Sequence, residues 1–184
     1  YTIGDYLAKT PYEKVPIDHP EFVKAEQIVK DQIQKLLNIK GSSTIDEIHK
    51  HLGKIMWDYC GMSRSKEGLI GAREKIRVVS EQFWNDLYVL GTNEELNMSL
   101  EKAGRVADFL ELGALMVEDA LERNESCGGH FREEYQTPEG EALRDDDNFT
   151  YVSAWQYQGT GNPEKLHKEQ LEFENVKLTQ RSYK

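Results

Sequence analysis

Between Glu94 and Asn124 the apolar residues Leu96, Leu100, Ala103, Ala107, Leu110, Ala114, Val117 and Leu121 recur three or four positions apart without a break. This is the period of a helix and not of a strand. A second stripe runs beside it through Val106, Phe109, Gly113, Met116 and Ala120, so the apolar face is too wide for one partner and calls for two helical neighbours. Glu101, Arg105, Asp108, Glu111, Glu118 and Glu122 mark the wetter side. At ~1.5 Å per residue such a helix would be about 45 Å long. A compact body of this chain length would measure only about 40 Å across, so the fold must be elongated.

The rest of the chain supplies the neighbours. Asp18-His19-Pro20-Glu21 opens a first long helix, with Asp18 as its cap and Phe22, Ala25, Val29, Ile33 and Leu36 as its stripe. Glu26 with Lys30 and Asp31 with Lys35 sit at pairing distance on its outer face, and Gly41 stops it. Thr44-Ile45-Asp46-Glu47 is a capping box for a second helix that carries Ile45, Ile48, Leu52, Ile55 and Tyr59. Trp57 lies off that stripe and should reach a neighbouring element, and Gly61 ends the helix. Ser65 starts a third, seamed by Leu69, Ala72, Ile76, Val79, Phe83 and Leu87 and stopped by Gly91. Another box, Thr92-Asn93-Glu94-Glu95, then launches the organising helix. Links this short force antiparallel neighbours. The fold class expected is therefore all-α: an elongated up-down-up three-helix bundle with an extra N-terminal helix. A C-terminal irregular arm and a β-hairpin follow. Residues 1–17 read as a lead-in strap with a single helical turn around Asp5 to Lys9, 18–124 as the bundle, and 125–184 as arm and hairpin packed on it. The two strands expected are Tyr151 to Tyr157 and Leu171 to Leu178, which are aromatic, β-branched or alternating. A hairpin alone is marginal in water and must rest on the bundle or on something outside this chain.

Composition excludes several functions. The formal net charge of −10 over 184 residues argues against nucleic acid, which needs a basic stripe, and against docking on an anionic membrane. No apolar run approaches the ~20 residues that span a bilayer, and no signal peptide is visible. Because the chain opens at Tyr1 and a polar lead-in, the expectation is a piece of a longer protein. Cys60 and Cys127 form no metal-type or redox-type pair, and a reducing compartment suits them.

Three clusters could carry chemistry. Asp46, Glu47, His49 and His51 suggest a metal, since Glu47 and His51 share a helix face, but a second ligand pair on another helix is missing, and a solvated face is the better reading. Glu125, His130, Glu133 and Glu134 resemble an acid–base site. Arg132 among them and the turn allowed by Gly128-Gly129 favour a structural knot that fixes the arm to the bundle. Arg144-Asp145-Asp146-Asp147 reads as a solvated charge run, with an interface pair as the alternative. Dinucleotide fingerprints, phosphate loops and nucleophile elbows do not occur. The residues alone therefore indicate a partner-binding module, with a stand-alone helical adaptor or metal-binding bundle as the alternative.

Four motifs in order carry a resemblance: Gly61-Met62-Ser63-Arg64 with Gly68-Leu69; Ala120 to Ser126 followed by Gly128, His130 and Arg132; Arg144-Asp145-Asp146 with Asn148-Phe149; and the ending Val176 to Tyr183. With them the chain resembles the C-terminal region of the flavoprotein subunit of succinate dehydrogenase and fumarate reductase, most specifically over 44–184. One departure is that the family reads Glu-Ser-Arg-Gly-Ala-His where this chain has Glu125-Ser126-Cys127-Gly128-Gly129-His130. Together with the long hairpin, this is similar to the branch of longer flavoproteins with a cytochrome b type anchor. L-aspartate oxidase shares the helical region and is the nearest confounder.

The resemblance implies a whole subunit that holds FAD and interconverts succinate and fumarate, a quinone-linked oxidoreductase. It implies that this region is a spectrin-repeat-like three-helix bundle, a non-catalytic scaffold without a cofactor, packed on the upstream flavin-binding domain and bordering the iron–sulfur subunit. It also implies a cytoplasmic site, peripheral on the inner face of a bacterial membrane. The interface candidates it marks are Glu125, Ser126, His130, Arg132, Arg144, Asp145, Asp146 and Arg181, with His130, Arg132 and Arg144 expected near the outer surface that the arm presents.

Overall fold

In a computed structural model the chain is described over residues 1–11, 14–159 and 162–179. Six helices precede and one hairpin follows: α1 (Thr2–Lys9), α2 (Pro20–Asn38), α3 (Ile45–Tyr59), α4 (Lys66–Asp86), α5 (Met98–Glu122), α6 (Asp146–Phe149), β1 (Tyr151–Gln156) and β2 (Lys165–Gln170). The all-α bundle with a C-terminal hairpin is the fold observed. The organising helix α5 packs against α4, α3 and α2, as its double stripe requires. Ala103, Val106, Leu110, Gly113, Val117 and Ala120 form its buried face. Facing them are Ile48, Leu52 and Ile55 of α3 and Leu69, Ala72, Ile76, Val79 and Phe83 of α4. At Gly113 the crossing with α3 is close: a Cβ there would lie 3.4 Å from the Met56 sulfur.

The helix starts follow local chemistry. The Thr44 box closes in both directions with Glu47, and Ser65 accepts from Gly68 N at the start of α4. Two expected caps are displaced. His19, not Asp18, caps α2, its Nδ1 accepting from Glu21 N at 3.3 Å with Pro20 in the first turn. Helix α5 begins only at Met98 behind Asn97, whose side chain accepts from Leu100 N. The Thr92–Glu95 box does form, with Thr92 N donating to Glu95, but it folds a turn before the helix and leaves Leu96 94% exposed. At 25 residues α5 is therefore about 37 Å long.

The link from α4 to α5, residues 87–97, is longer than expected. Helix α4 stops at Asp86, well before Gly91, because Leu87 turns extended and drops into the core. This segment lies against the α2–α3 loop: Gly41 N donates to Leu87 O and Tyr88 N to Ser43 O. The Asp86 carboxylate collects Ser42 N and both serine hydroxyls, which holds it below the usual carboxylate range, the Ser43 hydroxyl bond being the largest cause. Gly41 is required there as a close approach and not as the stop of α2, which ends at Asn38: a Cβ on it would lie 2.0 Å from Asp86 O.

Helix α2 departs most from expectation. Only Leu36 and Leu37 are buried, Ile33 is half-buried, and Phe22 and Val29 remain about half exposed. The Glu26–Lys30 pair forms, while Lys35 lies over the Trp84 ring and Asp31 takes Gln27 instead. Trp57 reaches no neighbour and is 85% exposed. Helix α1 is two turns, not one, with no buried residue.

In the hairpin, β1 pairs antiparallel with β2 from Tyr151↔Gln170 to Gln156↔Lys165. The second strand is thus 165–170 and not Leu171 to Leu178. Tyr151, Ser153 and Trp155 turn toward the bundle, while β2 lies beside β1 in the same sheet and is exposed at every position but Leu166, so it carries no apolar alternation. Trp155 Nε1 donates to Asp119 and Lys168 to Glu122, fastening the sheet to α5. Cys60 and Cys127 are both free.

Candidate functional site

The polar interior of the molecule gathers where α5 ends. Glu125, Ser126 and Arg132 are buried there, in a segment with little apolar side chain to hold it. Buried polar groups must find partners, and these define a clasp between the arm, the end of α5 and the α3–α4 loop.

Gly128, at φ 59, lets the chain reverse within Cys127–His130, whose terminal residues exchange both backbone bonds, at 2.8 and 3.0 Å. The reversal brings Ser126 beside Arg132: the hydroxyl accepts from Arg132 N at 2.8 Å and donates to Arg132 O at 3.1 Å. The Arg132 guanidinium, 1% exposed, runs back under α5, where Nη1 donates to Ala120 O at 2.8 Å and Nε to Glu134 at 3.0 Å. It thereby serves an orphan carbonyl at the negative end of the helix. Glu134 also accepts from Lys66 N, the first amide of α4, so one carboxylate meets a helix N-terminus and a buried cation. Burial works to raise Glu134, but the Lys66 amide and Arg132 outweigh it and hold it below the usual carboxylate range.

A backbone bridge joins arm to bundle. Arg64 N donates to Phe131 O and Glu133 N to Arg64 O, while Ser63 Oγ donates to Glu133. His130 fills the corner, with Nδ1 2.9 Å from Arg64 Nη1 and Nε2 2.9 Å from Arg123 O. On the far side, Glu125, 3% exposed, pairs with Arg123 at 3.2 Å and accepts from Asp145 N at 2.9 Å. Arg123 donates to Phe149 O and Tyr151 O and lies over both rings. Asp145 caps α6 through Asn148, and Arg144 pairs with Asp146 and donates to Thr179 O.

Glu125, Ser126, His130, Arg132, Asp145 and Glu134 are thus brought together, with Arg144 and Asp146 alongside, while Arg181 lies outside the described residues. Arg132 spends its bonds inside this chain, because an unpaired guanidinium could not be left buried there. His130 and Arg144 are half-buried. Sequence reasoning did not single out Arg123, Ser63 and Lys66 as site residues. The only signal available for Arg123 was a cation following the last turn of a helix. The metal-type cluster is dispersed: Glu47 closes its cap, Asp46 pairs with Lys102, and the His49 ring lies against Phe109. Chemically the clasp holds shape, since the partners of its acids and bases are its own backbone and guanidinium groups.

The family described as "Fumarate reductase flavoprotein C-term" matches residues 49–183. The fumarate reductase flavoprotein subunit of Proteus vulgaris is 27% identical over 176 residues, which covers 96% of this chain and 28% of that protein. Among solved structures, a quinol-fumarate reductase with menaquinol molecules superposes with a TM-score of 0.71 at 21% identity, over 94% of this chain and 28% of that one. The Mycobacterium smegmatis Sdh1 complex with UQ1 gives 0.68 at 18%, over 92% and 26%. At those identities the structures establish the fold. The chain spans about three tenths of the length of the curated relative from Proteus. It belongs to the family of fumarate reductase flavoprotein C-terminal domains.

Proposed function

We propose that this chain is the supporting and subunit-docking end of a succinate dehydrogenase/fumarate reductase flavoprotein, packed on an upstream flavin-binding domain and bordering an iron–sulfur subunit. The observation that carries this reading is the apolar surface the fold leaves uncovered. It comprises Ile3, Tyr6 and Leu7 on α1, Phe22, Val23 and Val29 on α2, and Leu171, Phe173, Val176 and Leu178 beyond β2. Residues spaced like a core but left in water indicate a covering surface. In the whole enzyme FAD would carry the hydride chemistry of succinate–fumarate interconversion.

This chain's own residues do not fit the flavin's pyrophosphate. The N-termini of α3, α4 and α5 are filled from within, by Glu47, Glu134 and Asn97, and that of α2 by His19. A cleft of about 620 Å³ between α2, α5 and the hairpin is rimmed by Asp108, Glu111 and Glu164. In this reading the flavin belongs to the rest of the polypeptide and the assembly to the cytoplasmic side of a membrane, as the family resemblance implies. No described helix is long and apolar enough to cross one.

Hydroxyl-radical footprinting of the native enzyme tests the reading. Phe22, Val29 and Phe173 should be several-fold less labelled in the assembled, flavin-containing protein than after dissociation. Equal labelling, or a native gene product without flavin, overturns it.

A further inference from the structure

His130 is the one clasp residue that can change charge near neutrality, and its contacts fix its state. Arginine has donors and no acceptor, so at 2.9 Å from Arg64 Nη1 the His130 Nδ1 must be bare and accepting. A carbonyl only accepts, so at 2.9 Å from Arg123 O the Nε2 must carry the hydrogen. The imidazole is neutral, in the Nε2–H form, and ties three segments together: the α3–α4 loop through Arg64, the end of α5 through Arg123, and the arm through its own backbone. From the geometry we infer that His130 is an acid-released latch, whose protonation at Nδ1 frees the arm from the bundle.

Protonation removes the acceptor that Arg64 uses and turns the contact into two donors face to face. The charges around the ring are cationic on every side: Arg64 from the loop, Arg123 from α5 and Arg132 from the arm. The nearby carboxylates are engaged elsewhere, Glu125 with Arg123, Glu134 with Arg132 and the Lys66 amide, and Glu133 with Ser63. Burial is the main cause that lowers the proton affinity of His130 below its ordinary 6.5; the Arg123 carbonyl opposes it, and the charges of Arg64, Arg132 and Arg123 add to the lowering. The folded chain thus binds this proton less readily than the unfolded one. The latch is complete above pH 6.5 and weakens as the pH falls below it toward the lowered folded value. The bonds at risk are those the latch shelters: Arg64 N to Phe131 O, Glu133 N to Arg64 O and Arg132 N to Ser126 Oγ.

Hydrogen exchange of the intact gene product, corrected for intrinsic rates, reads the latch directly between pH 7.5 and 5.5. In the wild type the opening of amides in 126–135 should rise about tenfold on acidification, the loss of one hydrogen bond from a charged donor, while α4 amides stay constant. His130→Gln, which retains one acceptor and one donor and cannot titrate, should remove that rise. A wild-type arm whose opening does not change with pH overturns the inference, and so does a His130→Gln protein that keeps the wild-type rise. Should that variant fail to fold, histidine-selective nitrogen-15 labelling of the wild type decides: the Nε2–H form with a titration below 6.5 supports the latch, and the Nδ1–H form or a cation at neutral pH refutes it.

Discussion

The bundle and the arm solve the same problem, fixing a backbone in place, by opposite means. In α3, α4 and α5 the work is done by aliphatic and aromatic burial around Ile48, Leu69, Val79, Phe83, Val106 and Val117, with backbone bonds satisfied inside each helix. In the arm, residues 125–149, the buried groups are instead Glu125, Ser126 and Arg132, and their bonds cross between segments far apart in sequence. Apolar packing is non-directional and adjusts to loss, whereas a polar clasp holds only while each partner is present. A domain that supports other domains can use both: a body that sets the frame, and an arm whose position is set by a few bonds and so can be released by a few.

The largest effect should come from the body. Phe83 is fully buried and meets Trp84 edge-on at 4.9 Å. Phe83→Ala should cost about 3–5 kcal/mol through lost burial and the cavity left behind. Denaturant melts followed by far-UV circular dichroism should show the loss as one cooperative transition, with helices and arm unfolding together. An arm that survives the bundle would break the distinction.

Arg132→Met should come next, at about 3 kcal/mol, since the Ala120 carbonyl loses its donor and the half-exposed Glu134 loses its cation. Here the expected signature is local. Exchange protection in 126–143 should fall far more than in α4, because the helices keep their own bonds. Arg132→Lys should not restore it: one ammonium cannot reach both Ala120 O and Glu134 in the geometry of the planar fork.

The same contrast explains what could be read from the residues in advance. The seams of α3, α4 and α5 were legible because burial imposes a 3.6-residue period on the sequence, and the Thr44 and Ser65 caps because they are local. The period overstated α2, where Phe22 and Val29 follow the same spacing but stay about half exposed. It missed β2, because the Lys165–Gln170 segment is exposed at nearly every position and so shows no alternation. That Glu125, Ser126, His130 and Arg132 form a structural knot could be anticipated from two glycines and a mixture of charges. Their partners could not, since Arg64 lies 66 residues before His130 and Ala120 lies on another element. Hydrogen bonds over such separations leave no periodic trace.

The smallest effect sharpens the comparison most, because it sets the same two residue types in the two settings. Arg105 pairs with Glu101 on the solvent face of α5, both well exposed, while Arg123 pairs with Glu125, which is nearly sealed from water. Water screens the first pair, and holding two long side chains together costs entropy, so a double-mutant cycle over Glu101 and Arg105 should return no more than about 0.5 kcal/mol and fade with added salt. The Arg123–Glu125 cycle should return at least about twice that and change little with salt, since Glu125 also takes the Asp145 amide and has no water to fall back on. If the two cycles agreed in size and in salt dependence, burial would have conferred nothing on the Arg123–Glu125 pair, and the arm would be held by its other bonds, those of Arg132, Glu134 and the backbone bridge to Arg64.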